Sequence, residues 1–282
     1  MSLSFDFRSF VGFGIAGNFA NHLEQAGEVS DFLQVQVDEK DAPKGLFPFY
    51  QPKNPDTFLN TYPLSNDTIT MPTLIQGENL QMEPEVALVC ELGYENGTVS
   101  RIRPVAFAAY NDCTIRKEGA KKISEKKNWG AATKGLSETF IDIDRFEHGG
   151  VMDTFRIASF LARGGELHEY GEDSPVLGYS YFYGKLIAWM EQKLAGQSDH
   201  GPLEDLPAIL KANEYPARAI ISIGATRYTH FGETTYLRPD DEVYVCVYDA
   251  SRYSNTDIRN LIRDQNLKAE GISFLHQKVV AG

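Results

Sequence analysis

The chain has 282 residues, 42% of them hydrophobic and 12% aromatic, enough to bury a full core in one large domain or in one with a small appendage. Its 39 acids against 27 bases give a formal charge of −12, which argues against nucleic acid as a partner because that partner needs a basic footprint to displace its counterions. No apolar run reaches the roughly 18 residues of a membrane-spanning helix, and the three cysteines, Cys90, Cys113 and Cys246, form no C-x-x-C pair; with no signal-peptide pattern in MSLSFDFRSF, this points to a reducing cytoplasm.

Residues 3–16 are rich in Phe and Gly and read as a short strand leading into a turn. A helix is then expected from Asn18 as N-cap, with Phe19, Leu23 and Ala26 on one face and Gly27 as its stop. His22 lies beside that stripe, where a lone histidine is first a structural or surface residue. Prolines at 43, 48, 52, 55, 63 and 72 make residues 38–82 extended chain punctuated by turns. This stretch divides a small N-terminal unit, residues 1–70, from a main domain, residues 71–282, and Lys53 within it reads as a surface lysine.

From Glu83 the run EPEVALVCELG reads as a strand, with Glu83, Glu85, Ala87 and Val89 on one face and Val86, Leu88 and Cys90 on the other. A second apolar run, Val105 to Tyr110, breaks into Asn-Asp-Cys-Thr and delivers Asp112 at its end. Carboxylates converging on one point suit a hard cation with oxygen ligands. The same acids also fit solvent-facing positions near a strand start and an Asx turn at Asp112, and spacing leaves both readings open. Cys113 reads as an inert buried thiol, since no His or Asn motif accompanies it. The run RKEGAKKISEKKNW, with Lys117, Lys121, Lys122, Lys126 and Lys127, reads as a solvated helix face that could also draw in an anion. Lys134, in a less polar setting after Trp129, is either a partner for an oxyanion or half of a structural salt bridge.

Gly164-Gly165 between two comparable runs signals a hairpin. SYFYGKLIAWMEQKLAG is an amphipathic helix with Leu186, Ile187, Met190 and Leu194 on its stripe, and DLPAILKANEYP a shorter one ended before Pro216. ARAIISIGA and EVYVCVYDA are strands, a last helix starts around Thr256 with Ile258, Leu261 and Ile262 inward, and GISFLHQKVV closes the chain as a strand. Strands in the middle with helices grouped around them give an α+β domain on a mixed sheet.

Along most of the chain, these stretches resemble the fumarylacetoacetate hydrolase superfamily in the same order. EPEVALVCELG resembles its H-x-E-x-E-L-a-x-V-x-G strand, VAFAAYNDCTIR its G-Y-x-x-x-N-D-x-x-A-R, and WGAATKGLSETF its W-x-x-x-K-x-x-D-T-F. Upstream, GIAGNFANHLEQAG is similar to G-R-N-Y-x-x-H-x-x-E-x-G; downstream, RGGELHEYGE and IISIGATRY are similar to N-G-E-x-R-Q-x-G and I-x-T-G-T-P-x-G. The chain also departs from the pattern. Aligned without a gap from Glu85 to Gly93, the second strand glutamate falls on Ala87; Gln25 stands where the superfamily has an acid, and GATRY lacks the proline.

The resemblance implies a mixed β-sandwich roll with a small N-terminal α/β unit, assembled as a homodimer. It implies cleavage of a carbon–carbon bond in a small 2-oxo or 1,3-dioxo acid, of acylpyruvate, fumarylacetoacetate or oxaloacetate type. The implied cofactor is Mg²⁺ or Mn²⁺, with Ca²⁺ a further fit, held by Glu85 and Asp112 with Glu83 as the third ligand. Lys134 then serves as oxyanion partner and His22 as water activator, while Arg116, Thr226 and Arg227 hold substrate carboxylates. The rival reading is a member whose chemistry has eroded, retained as a small-acid binding or structural protein.

Overall fold

The computed structural model describes residues 5–32, 35, 37, 39 and 41–282. The chain opens with β1 (Val11–Ala16), makes one helical turn, α1 (His22–Gln25), and returns as the wholly buried β2 (Gly45–Tyr50). Gly12 and Gly14 are glycines for a packing reason: a Cβ at either would run into the ring of Phe49 or Phe47 on β2. The expected cap at Asn18 is not one. Asn18 is buried and spends its amide on the carbonyls of Tyr181 (3.0 Å) and Ile223 (2.9 Å), and the helix starts three residues later than its local sequence suggests, with Asn21 in the N-cap place.

Short pieces follow in the proline-punctuated stretch, β3 (Leu64–Ser65), β4 (Thr68–Thr70) and β5 (Asn79–Gln81). The longest hairpin comes next, β6 (Pro84–Glu95) and β7 (Thr98–Asn111), which pair from Glu95↔Thr98 back to Pro84↔Asn111. Its two-residue turn is Asn96-Gly97, with φ of 52° and 77°, the combination a type I′ turn requires. Then come β8 (Thr114–Arg116), β9 (Lys134–Leu136) and β10 (Ile141–Asp142), and a second hairpin of β11 (Phe155–Arg163) and β12 (Glu166–Pro175), turning at the positive-φ pair Gly164-Gly165.

The amphipathic helix α2 (Tyr183–Gly196) buries Leu186, Met190 and Leu194, and α3 (Leu206–Ala212) begins where the Asp205 side chain accepts from the Ala208 N–H. β13 (Arg218–Ser222), α4 (His230–Thr234), β14 (Glu242–Asp249), α5 (Asn255–Arg263) and β15 (Ile272–Val280) complete the chain. A capping box between Ser254 and Asp257 starts α5, one residue ahead of the expected Thr256.

One sheet has the order β2-β1-β13-β6-β7-β9-β3, with β10 also on β7; another runs β12-β11-β14-β15-β4, and β5 pairs with β8 alone. The β1–β13, β3–β9 and β4–β15 pairs are parallel and the others antiparallel, so the protein is α+β with mixed sheets. β1 and β2, from the first seventy residues, extend the same sheet as the β6–β7 hairpin. The largest apolar core joins Val86, Leu88 and Phe107 of that sheet to Ile157, Val245 and Leu275 of the other, with α2 closing one side.

Just ahead of α3, Glu204 is mostly buried, and neither of its oxygens has a well-aligned hydrogen bond. Burial pushes its pKa up to about 7, only partly offset by Ser124 and Lys122. A carboxyl raised in this way contributes stability that is complete below its unfolded value and is lost as pH rises through about 7. Glu204→Gln should therefore match wild type in urea denaturation at pH 4.5 and exceed it at pH 8 by on the order of 2 kcal/mol. An equal difference at both pH values would remove Glu204 as the cause.

Candidate metal and substrate site

The site is built at the open ends of the first hairpin. Glu83 and Glu85 flank the first residue of β6, Asp112 follows the last residue of β7, and the Asp112 N–H donates to the Glu83 carbonyl at 2.9 Å. The hairpin register therefore brings together acids that are 27 and 29 residues apart in sequence. One oxygen from each of the three carboxylates lies within 4.8 Å of the others, and all three side chains are buried.

Three carboxylates this close, away from water, require cations. Arg116, at the end of β8, lies 2.7 Å from Glu83 Oε1 and donates to Glu28 (2.7 Å), Gln81 (2.7 Å) and the Tyr228 hydroxyl (3.1 Å). Lys134, the first residue of β9, is wholly buried, 3.0 Å from Asp112 Oδ1 and donating to the Cys113 carbonyl at 2.5 Å. Lys127 sits between the acids: its Nζ is 2.6 Å from Glu83 Oε2, 2.5 Å from Asp112 Oδ2 and 2.6 Å from Thr114 Oγ1.

Sequence reasoning grouped Lys127 with a solvated helix face. Here the segment is a 3-10 turn, Ile123–Lys126, anchored by buried Ile123, and Lys126 and Lys127 are only 6% and 4% exposed. The one local sign was the switch to Asn128-Trp129 right after the lysine run.

His22 is buried as well. Its Nδ1 lies 2.9 Å from the Thr226 carbonyl, which assigns the proton to that nitrogen and turns Nε2 toward Glu83, 3.9 Å away. Gln25, in place of the superfamily acid, clamps the backbone of Tyr228, its amide nitrogen donating to the Tyr228 carbonyl (3.1 Å) and its oxygen accepting from the Tyr228 N–H (2.9 Å), which holds α1 against the turn that carries Thr226. Thr226 thus reaches the site through its backbone. Arg227 does not reach it; it pairs with Glu172 at 2.9 Å in a half-exposed bridge.

The electrostatics follow from these partners. Burial pushes the Glu83 carboxyl up, but Lys127 and Arg116 outweigh it and hold the group well below the usual range. Burial, Asp112 and Glu83 all drive Glu85 the other way, well above its ordinary value, against the Lys127 charge and one Gly224 N–H at 2.9 Å. Burial lowers Lys134 despite Asp112. Burial also pushes the Cys113 thiol up to about 12, which leaves it protonated and unreactive, as its sequence context suggested.

A family described only as one of unknown function, DUF5718, matches residues 28–279. The chain belongs to that family. No curated protein matches the DUF5718 chain by sequence. Solved structures do match it in fold. A 2-keto-3-deoxyarabinonate dehydratase has a TM-score of 0.56 and 14% identity, over 96% of this chain and 73% of that one. A 5-carboxymethyl-2-hydroxymuconate delta-isomerase from Mycobacterium smegmatis has a TM-score of 0.51 and 14% identity, over 96% and 79%. A putative fumarylacetoacetate hydrolase family protein from Yersinia pestis CO92 has a TM-score of 0.51 and 11% identity, over 96% and 93%. The DUF5718 chain therefore has the fold of the fumarylacetoacetate hydrolase superfamily.

Ala87, where the ungapped alignment leaves a superfamily ligand missing, stands apart from the carboxylate group. Ala87 packs in an apolar group with Val89, Ala106, Ala108 and Tyr110, and the third carboxylate of the cluster is Glu83. Glu83 Oε1 and both Asp112 oxygens also lack well-aligned hydrogen bonds. Three convergent carboxylates, two of them incompletely satisfied, form an oxygen donor set that suits a hard divalent cation, so a buried group that could hold a metal is present. Beside them lies a cavity of about 20 Å³, lined by His22, Glu28, Glu83, Glu85, Asp112 and Lys127.

Proposed function

We propose that this DUF5718 protein is an enzyme that cleaves a carbon–carbon bond next to a carbonyl in a small 2-oxo or 1,3-dioxo acid, using Mg²⁺ or Mn²⁺ held by Glu83, Glu85 and Asp112. The observation that carries this reading is the convergence of those three buried carboxylates, with Lys134, Arg116 and His22 around them. The superfamily fold, shared with a dehydratase and an isomerase, supports it. A cation bound there would supply Lewis-acid polarisation of the substrate's carboxylate and keto oxygens.

The chain's own side chains have separable parts. His22 is oriented by Thr226, leaves Nε2 free to accept a proton from water, and so serves as base. Lys134 holds a buried positive charge beside the carboxylates, where it meets developing oxyanion charge. Arg116 is fully engaged with Glu28, Gln81, Glu83 and Tyr228, so its part is to fix Glu83. The proposal extends to a homodimer in a reducing cytoplasm.

A panel of acylpyruvates, oxaloacetate and related 2-oxo acids, assayed for pyruvate with and without Mn²⁺, tests the function. Turnover of at least one member, dependent on metal, is expected. The lysine among the carboxylates, standing where a cation would, favours a second reading, a small-acid binding protein without turnover. Saturable binding of a 2-oxo acid, with no product at any metal concentration, would establish that instead.

A further inference from the structure

Lys127 is a buried charge in the site that the proposed chemistry leaves without a task. Its ammonium donates to Glu83 and Thr114 and lies 2.5 Å from Asp112 Oδ2, with Nζ 5.2 Å from the centroid of the Phe47 ring. An ammonium bridging two carboxylates at these distances does what a bound cation does. We propose that Lys127 is a built-in counter-ion occupying the cation position of the carboxylate cluster, so that its ammonium and a divalent ion hold Glu83 and Asp112 in mutually exclusive ways. The inference rests on the reading that these carboxylates bind a metal.

Charge and space both support exclusion. With Lys127 in place, Glu83 is paired by Lys127 and Arg116, Asp112 by Lys127 and Lys134, and Glu28 by Arg116 and Lys126; among the described residues of the site, only the Glu85 carboxylate lacks a cationic partner. A divalent ion on the same oxygens would face an ammonium a few ångströms away, where no solvent screens the repulsion. With Lys127 withdrawn and Asp31 balancing Lys126, the charges of Arg116, Lys134 and the divalent ion together balance Glu28, Glu83, Glu85 and Asp112. The adjoining cavity of about 20 Å³ takes roughly one water, too little for an ion with a chelating acid. Removing the lysine head from between the acids is what would make room for both. Lys127 follows a single 3-10 turn, so its side chain is not held within a longer helix or a strand.

The test measures metal and lysine separately in the full-length protein. Mn²⁺ affinity by isothermal titration calorimetry should rise roughly 100-fold in Lys127→Met, since the competing like charge is gone, and stay near wild type in Lys127→Arg. In wild type, Lys127 should resist acetylation by acetic anhydride without metal and become labelled, by mass spectrometry, at saturating Mn²⁺. The labelling arm decides the matter even if Lys127→Met does not fold. Equal Mn²⁺ affinity in wild type and Lys127→Met, or a Lys127 that stays protected at saturating Mn²⁺, overturns the exclusion and leaves the metal reading standing. No Mn²⁺ binding to either protein at millimolar concentration overturns both.

Discussion

Asp112→Ala should lower stability to urea by about 3–5 kcal/mol, because it removes the one carboxylate paired with buried Lys134 and one of the two paired with buried Lys127. Asp112 is wholly buried, and the Lys134 Nζ keeps only the Cys113 carbonyl as an acceptor once it is gone. Adding Lys127→Met to Asp112→Ala should cost less than Lys127→Met alone, since Lys127 has by then already lost one of its two carboxylate partners. Strict additivity, with Lys127→Met costing the same whether position 112 carries aspartate or alanine, would mean that the two side chains do not share an ion pair. Mn²⁺ binding should be abolished in the single variant, measured where the protein is still folded.

Ala87→Glu should be as damaging, without any gain of metal affinity. Position 87 is 1% exposed and enclosed by Val89, Ala106, Ala108 and Tyr110, so a glutamate there buries an unpaired carboxyl and overfills the packing. A cost of about 3 kcal/mol or more is expected. A purely local reading of the strand predicts the opposite, because 87 lies two residues beyond Glu85 on the same face. Tighter Mn²⁺ binding with an unchanged urea midpoint would show that position 87 looks onto the site and that Glu83 does not complete it.

Several elements were legible because their signals are local. The apolar stripe of α2 and the Gly164-Gly165 hairpin depend on residues a few places apart, and both appear where expected. Asn18 shows the limit: it is a good N-cap by residue type, but its amide is claimed by carbonyls 163 and 205 residues away, which removes it from helix capping. Lys127 shows it more sharply. It is one of five lysines in a short run, and nothing within that run distinguishes the one that ends 2.6 Å from Glu83.

By itself the sequence determined the α+β class, the placing of Glu83, Glu85 and Asp112 at strand ends, and the order of stretches that resembles the superfamily, because strand periodicity and breaks in apolar runs are properties of neighbouring residues. Only the tertiary structure decided that Glu83 and not a residue at 87 completes the carboxylates, that Arg227 turns away to Glu172, and that Lys127 supplies their counter-charge. The physical reason is that the state of a buried charge depends on which opposite charges reach it through space, and those partners lie 44 residues away for Lys127 and Glu83, and 204 for His22 and the Thr226 carbonyl.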